Sequence, residues 1–268
     1  MKNAHSLFTF GSQQQAMVNF LRKTHTILYF TVVLFYFILA FPVLYYFTRN
    51  PHKRYGQIVG MRKWISLFAT STVGIRFQVV EEEPIDWSKP YVICPNHTSI
   101  LDITALNYTC KHEFSFMGKS ELLRNPVTRI FFKTIDIAVD RSSKISAFRA
   151  FKRADTLIKE GKSVVIFPEG RIDDEFPPRL HAFKSGPFRL AFDNQVQILP
   201  VVIHDAWHLL WDDGTKFGSR PGTIHISVLK PLDTKHIQTE NYDALQEQVY
   251  AIMKKHLDQP LLHHIVKD

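Results

Sequence analysis

Three short polar stretches carry the residue types best suited to chemistry. The first is NHTSILD at 96–102, in which Asp102 follows His97 by five positions. An imidazole can take a proton from a hydroxyl near neutral pH, and a carboxylate on its other nitrogen fixes the tautomer that does so. On a continuous helix five residues turn through about 140°, which puts the two side chains on different faces. A turn that opens into a helix joins them, with His97 in the turn and Asp102 in the first helical turn. The same spacing has a purely structural reading. Ser99 to Asp102 has the form of a capping box with an acid at the third helical position. Spacing by itself favours the cap.

The second stretch is FPEGR at 167–171. Gly170 permits a tight turn and a close backbone approach. Arg171 can grip a phosphate through paired donors. Glu169 can fix that arginine or bond a substrate hydroxyl. The bland alternative is a strand-ending turn with a surface salt bridge. Arg141, in VDRSS, has the same two readings. Lys119, in MGKSEL, is a further candidate anion ligand, against the commoner outcome of a solvated lysine. Other catalytic patterns fail. Neither Gly118-Lys119-Ser120 nor Gly161-Lys162-Ser163 has the upstream glycine of a phosphate-binding loop. There is no GxSxG elbow and no HExxH metal motif. Cys94 and Cys110 form neither a disulfide framework nor a CxxC metal site, and they suit a reducing compartment. His263 and His264 read as surface residues.

To act together these stretches must be brought to one place by the fold. Each directly follows an apolar run: YVIC before Asn96-His97, IAV before Asp140-Arg141, VVIF before Pro168-Glu169. Read as parallel strands, the three runs put all the polar groups at one carboxyl edge of a sheet, where open α/β folds bind ligands. Further strands are expected at 75–80, 114–117, 198–203 and 223–229. Helices are expected at 99–110, 121–135 with a break at Asn125-Pro126, 143–160 closed by Gly161, 187–193 and 242–257. Pro200 within 198–203 predicts an edge strand or a bulge. Residues 211–222 read as an exposed loop, and the acidic run Asp173-Asp174-Glu175 has no role in this scheme. The alternation of strands and helices predicts an α/β domain with a mixed, largely parallel sheet flanked by helices, with some antiparallel pairing late in the chain.

The N-terminal part has a different texture. From Thr26 to Thr48 no residue is charged, and the run is long enough for a membrane helix of about 20 residues. Arg22 and Lys23 precede it, Arg49, Lys53 and Arg54 follow, and basic flanks on both sides leave topology open. Pro42 would kink a straight span. A second stretch carries Ile58, Met61, Ile65 and Phe68 on one helical face near Arg62 and Lys63, a pattern suited to a helix in the headgroup region. Spanning and monotopic anchors both fit, and a buried core helix is the structural alternative. The expected division is a tail at 1–24, a helical membrane-anchoring segment at 25–73 and a catalytic domain at 74–268. The net charge of +8 favours an anionic partner. Nucleic acid is set aside, because it gives no reason for the apolar segment and no recognition motif for it is present.

NHTSILD and FPEGR together, in this order, resemble the glycerolipid acyltransferase family that includes the 1-acylglycerol-3-phosphate acyltransferases. MGKSELLRNP, AVDRSS and FKSGPFRLAFDNQVQILPVVI extend the resemblance over about 75–231. It implies that His97 is the general base, that Asp102 orients it, and that a lipid hydroxyl attacks an acyl thioester with no acyl-enzyme intermediate. The donor is acyl-CoA or acyl-carrier protein, with no other cofactor and no metal. It also implies that Glu169, Gly170 and Arg171 bind the acceptor, with Arg141, Lys119 and Asn96 contributing. The partners implied are a lysophospholipid acceptor and a membrane lipid surface, at the cytoplasmic face of the inner or plasma membrane. Here Arg171 follows Gly170 directly, where the commoner family pattern has a residue between, so acceptor choice stays open: 1-acylglycerol-3-phosphate, another lysophospholipid or an aminolipid. A basic, non-catalytic membrane-surface protein is the rival from another class.

Overall fold

A computed structural model describes residues 2–172, 174–234 and 242–258, with side chains described from residue 14 onward. Asp173, His263 and His264 lie outside the described residues. The long runs of Val, Ile and Leu dictate the centre of the fold. β2 (Val92–Pro95), β5 (Ser163–Val165) and β6 (Ile198–Ile203) are buried at every position, the pattern of parallel strands covered on both faces. With β1 (Ile75–Glu81), β3 (Phe114–Lys119), β4 (Ile137–Val139) and β7 (Gly222–Val228) they form one seven-stranded sheet in the order β1-β7-β6-β2-β5-β3-β4. β6, β2, β5, β3 and β4 run parallel, while β7 is antiparallel to β6 and carries β1 parallel to itself.

Pro200 is not at an edge: β6 lies between β7 and β2. Its carbonyl accepts from Leu229 N, so its ring nitrogen also faces β7, just before the β6–β7 register begins at Val201↔Val228. The missing donor therefore takes nothing from the β2–β6 ladder and costs only the reciprocal bond to the Leu229 carbonyl on the β7 side.

The helices are α1 (Lys2–Thr48), α2 (Tyr55–Thr72), α3 (Leu101–Thr109), α4 (Pro126–Phe132), α5 (Lys144–Lys159), α6 (Gly186–Asn194), α7 (Ala206–Leu209) and α8 (Tyr242–Asp258). Local chemistry sets several ends. The Asn125 side chain accepts from Val127 N and Thr128 N ahead of Pro126, and the Ser143 hydroxyl accepts from Ser146 N. Gly161 follows α5 with φ +81°, a conformation that favours glycine. The short α7 carries no signal strong enough to stand out in the sequence.

The first two helices depart from expectation. Residues 2–24 continue α1 rather than forming a tail, and the helix passes through Pro42. Tyr29, Phe37, Ala40 and Leu44 make a buried stripe on the domain, whereas Leu28, Phe35, Ile38 and Leu39 on the rest of α1 are exposed. α2 is built into the core. Ile58 and Ile65 are buried, and so is Arg62, whose guanidinium reaches Asp136 Oδ1 at 2.5 Å and the Phe114 carbonyl at 3.0 Å. A charge expected to meet lipid headgroups is thus neutralised inside the protein, and of the expected apolar face only Phe68 is largely exposed.

Candidate functional site

All of the parallel strands deliver their following residues to the same edge. His97 follows β2, Arg141 follows β4, Gly170 follows β5, and Lys119 ends β3. At the centre, His97 Nδ1 lies 2.9 Å from Asp102 Oδ2. The same oxygen accepts the backbone N–H groups of Thr98 at 2.7 Å and Ser99 at 2.8 Å. The Ser99 hydroxyl in turn accepts from Leu101 N at 3.0 Å. The capping and pairing readings of Asp102 are therefore both realised, by one fully buried carboxylate. Because a carboxylate only accepts, the proton sits on Nδ1 and the lone pair on Nε2. The ring is fixed a second way, stacked on Phe167 with centroids 3.9 Å apart.

Two of the expected substrate contacts are instead braces for this turn. Asn96 is buried, and both ends of its amide engage the Ile203 backbone, donating to the carbonyl at 2.9 Å and accepting the N–H at 2.7 Å. That ties the turn to the end of β6 and commits the groups that were expected to meet substrate. Glu169 is also buried. Oε1 accepts His97 N at 2.7 Å, and Oε2 accepts His181 N at 2.8 Å. The FPEGR stretch thereby holds the backbone of the histidine, which gives a physical reason for the two motifs to occur together.

The expected basic residues Arg141, Arg171 and Lys119 are all exposed on the same edge and form no ion pair among the described residues; of the three, Arg141 approaches Gly170. Burial lowers the pKa of Arg141 below the usual guanidinium range, with the Glu121 charge acting the other way.

The loop at 211–222 is not simply exposed: Trp211, Gly214, Gly218 and Ser219 are buried. Asp212, at φ +52°, donates its N–H to the Thr98 carbonyl and accepts from Ile100 N, so it backs the His97 turn. Burial raises its pKa above the usual carboxylate value, and the charges of Asp213 and Asp174 add to the effect. Asp174 is thus placed electrostatically beside Asp212, and its carbonyl accepts from Lys216 at 3.5 Å. The other face of the loop meets α1. Ser219 N donates to the Arg22 carbonyl at 3.0 Å, and the Ser219 hydroxyl lies 2.6 Å from His25 Nδ1. The residues that sequence reasoning missed are Asp212, Phe167 and Lys184. Only Lys184 had a local signal, a basic residue just ahead of an expected helix.

The site is polar, lies at the carboxyl edge of a mostly parallel sheet and is built on a histidine–aspartate turn, and comparison with known proteins defines its class. The family model for Acyltransferase matches residues 76–204, and an uncharacterized acyltransferase of Schizosaccharomyces pombe is 30% identical over 204 residues, covering 75% of this chain and 72% of that protein. The chain belongs to the acyltransferase family and is an O-acyltransferase. It is also similar to the mouse protein named 1-acyl-sn-glycerol-3-phosphate acyltransferase alpha, at 28% identity over 219 residues, 81% of this chain and 74% of that one. Its fold matches the crystal structure of the 1-acyl-sn-glycerophosphate (LPA) acyltransferase from Thermotoga maritima with a TM-score of 0.71. That match covers 91% of this chain and 96% of the other at 20% identity.

Proposed function

We propose that the protein transfers a fatty acyl chain from acyl-CoA or acyl-carrier protein to the free hydroxyl of 1-acylglycerol-3-phosphate, giving phosphatidic acid. The observation that carries the chemistry is the His97–Asp102 pair, with the Nε2 lone pair left for a substrate. His97 Nε2 takes the hydroxyl proton as the oxygen attacks the thioester carbonyl. The tetrahedral intermediate collapses with cleavage of the C–S bond, and the departing thiolate takes the proton back from the imidazolium. Asp102 faces that imidazolium with a carboxylate and stabilises it while it exists. The basic residues on the same edge support a phosphorylated acceptor, as do the names of the relatives.

The exposed apolar face of α1 supports attachment to a membrane, and we propose that the protein sits at its cytoplasmic face. Because its opposite stripe is buried on the domain, this reading has α1 lying along the bilayer surface beside the sheet rather than leaving the protein to cross it.

The test is an acceptor panel with the purified chain in detergent, run once with labelled acyl-CoA and once with labelled acyl-carrier protein, scoring thiol release and lipid product. Turnover is expected with 1-acylglycerol-3-phosphate. Turnover confined to another lysophospholipid or an aminolipid would keep the chemistry and replace the acceptor. No turnover with any acceptor, from protein with an intact melting transition, would refute the reading.

A further inference from the structure

Gly170 ends the PEG turn at φ +75°, and the space where a side chain would project is already taken. A methyl group there would lie 3.0 Å from Lys184 Cε, 3.1 Å from Lys184 Nζ and 3.4 Å from Arg141 Nη1. Two cationic ends therefore reach the same point from different elements, Arg141 from the turn after β4 and Lys184 from the segment that leads into α6. The backbone of Lys184 is pinned for this, since its N–H donates to the Pro168 carbonyl at 2.9 Å. Neither side chain has an ion pair among the described residues. Both side chains are exposed, and two like charges facing one small space favour an anion between them. α6 begins two residues beyond Lys184, so the positive end of its dipole adds to the same field.

We infer that Lys184 and Arg141 form a seat for a dianionic phosphate monoester over Gly170, and that the acceptor's phosphate occupies it. The inference rests on the reading of a phosphorylated acceptor and names Lys184 as a binding residue for it. Glu169, next to Gly170, holds the N–H of His97. The seat and the base are thus rigidly related, as a glycerol backbone requires when its reacting hydroxyl and its phosphate sit on neighbouring carbons.

The experiment compares the full chain with Lys184→Met and Lys184→Arg in detergent. Lys184→Met is expected to raise KM for 1-acylglycerol-3-phosphate about tenfold, with kcat and the acyl-CoA KM much less affected, and Lys184→Arg to restore most of the loss. Inorganic phosphate is expected to raise the melting temperature of the parent protein and not of Lys184→Met, a readout independent of turnover. If KM for acyl-CoA rises instead, and an acyl-pantetheine donor without nucleotide phosphates abolishes the difference, the seat belongs to the donor and the assignment is overturned. Unchanged KM values for both substrates in folded Lys184→Met would also overturn it. A parent protein that binds phosphate through Lys184 yet acylates only unphosphorylated acceptors would overturn the assignment to the acceptor's phosphate, and with it the proposed acceptor, while leaving the seat itself.

Discussion

Replacing Asp102 by asparagine keeps the shape of the turn and removes the charge. In the parent protein one oxygen accepts three hydrogen bonds, from His97 Nδ1 at 2.9 Å, Thr98 N at 2.7 Å and Ser99 N at 2.8 Å. Bonds to a charged acceptor contribute about 1 kcal/mol more each than bonds to a neutral one, so roughly 3 kcal/mol is lost. The new amide NH2 must then take the place of Oδ1, which is buried and has no hydrogen-bond partner. Stranding a buried donor costs roughly 1–3 kcal/mol more. At about 2–4 °C per kcal/mol for a chain of this size, Tm should fall by on the order of 10 °C. If the carboxylate also stabilises an imidazolium during turnover, kcat should fall about 10²–10⁴-fold at a temperature where the variant is still folded. Thiol release from acyl-CoA gives the rate, and calorimetry gives Tm. Ser99→Ala is the control: it removes only the 3.0 Å bond from Leu101 N, at about 1 kcal/mol, and should leave kcat unchanged. An Asp102→Asn protein with the lower Tm but kcat within about threefold of the parent would make Asp102 a cap and nothing more.

Three other substitutions probe the scaffold. Arg62→Ala leaves Asp136 buried without its cation, and a loss of about 3–5 kcal/mol is expected from the denaturant midpoint; a loss below about 1 kcal/mol would mean the pair is dispensable. Asp212→Asn should stabilise the protein at neutral pH, because the folded-state pKa is raised above 3.8 and the ionised form carries a burial penalty. That gain should shrink as pH falls through the folded value and vanish below 3.8, where both states are protonated, so equal Tm gains at pH 7 and below pH 3.8 would contradict it. Gly218→Ala would put a methyl 2.5 Å from the Arg22 carbonyl carbon at φ +71°, so a loss of at least about 1–2 kcal/mol is expected, with faster tryptic cleavage after Arg22 and Lys23; parental stability and digestion would show that the loop does not hold α1.

ILPVVI and VVIF, short and set between turn residues, mark buried parallel strands, and Asn125-Pro126 and Gly161 mark helix boundaries through their own backbone chemistry. The carboxyl-edge placement of His97, Arg141 and Gly170 followed from those strands. Side-chain partners were legible only when local. Asp102 is five residues from His97, so both of its roles could be named. The partners of Arg62, Asn96 and Glu169 lie 74, 107 and 72 positions away, and each proved to bind protein where lipid or substrate had been expected. Residue type announces what a side chain can do, but the competition between an internal and an external partner is decided by tertiary distance. Residues 211–222 misled for the same reason, since Gly, Asp and Ser mark an exposed loop and equally a loop that lets a helix approach closely.

That close approach makes α1 something other than a detachable leash. Arg22 and His25 hold Ser219, and the loop that carries Ser219 supports Thr98 and Ile100 through Asp212. Eight residues, from Ser219 back to Asp212, thus connect the helix to the turn that aims His97. Truncating the apolar N-terminus to obtain a more soluble enzyme would remove one abutment of an arch whose keystone is the histidine.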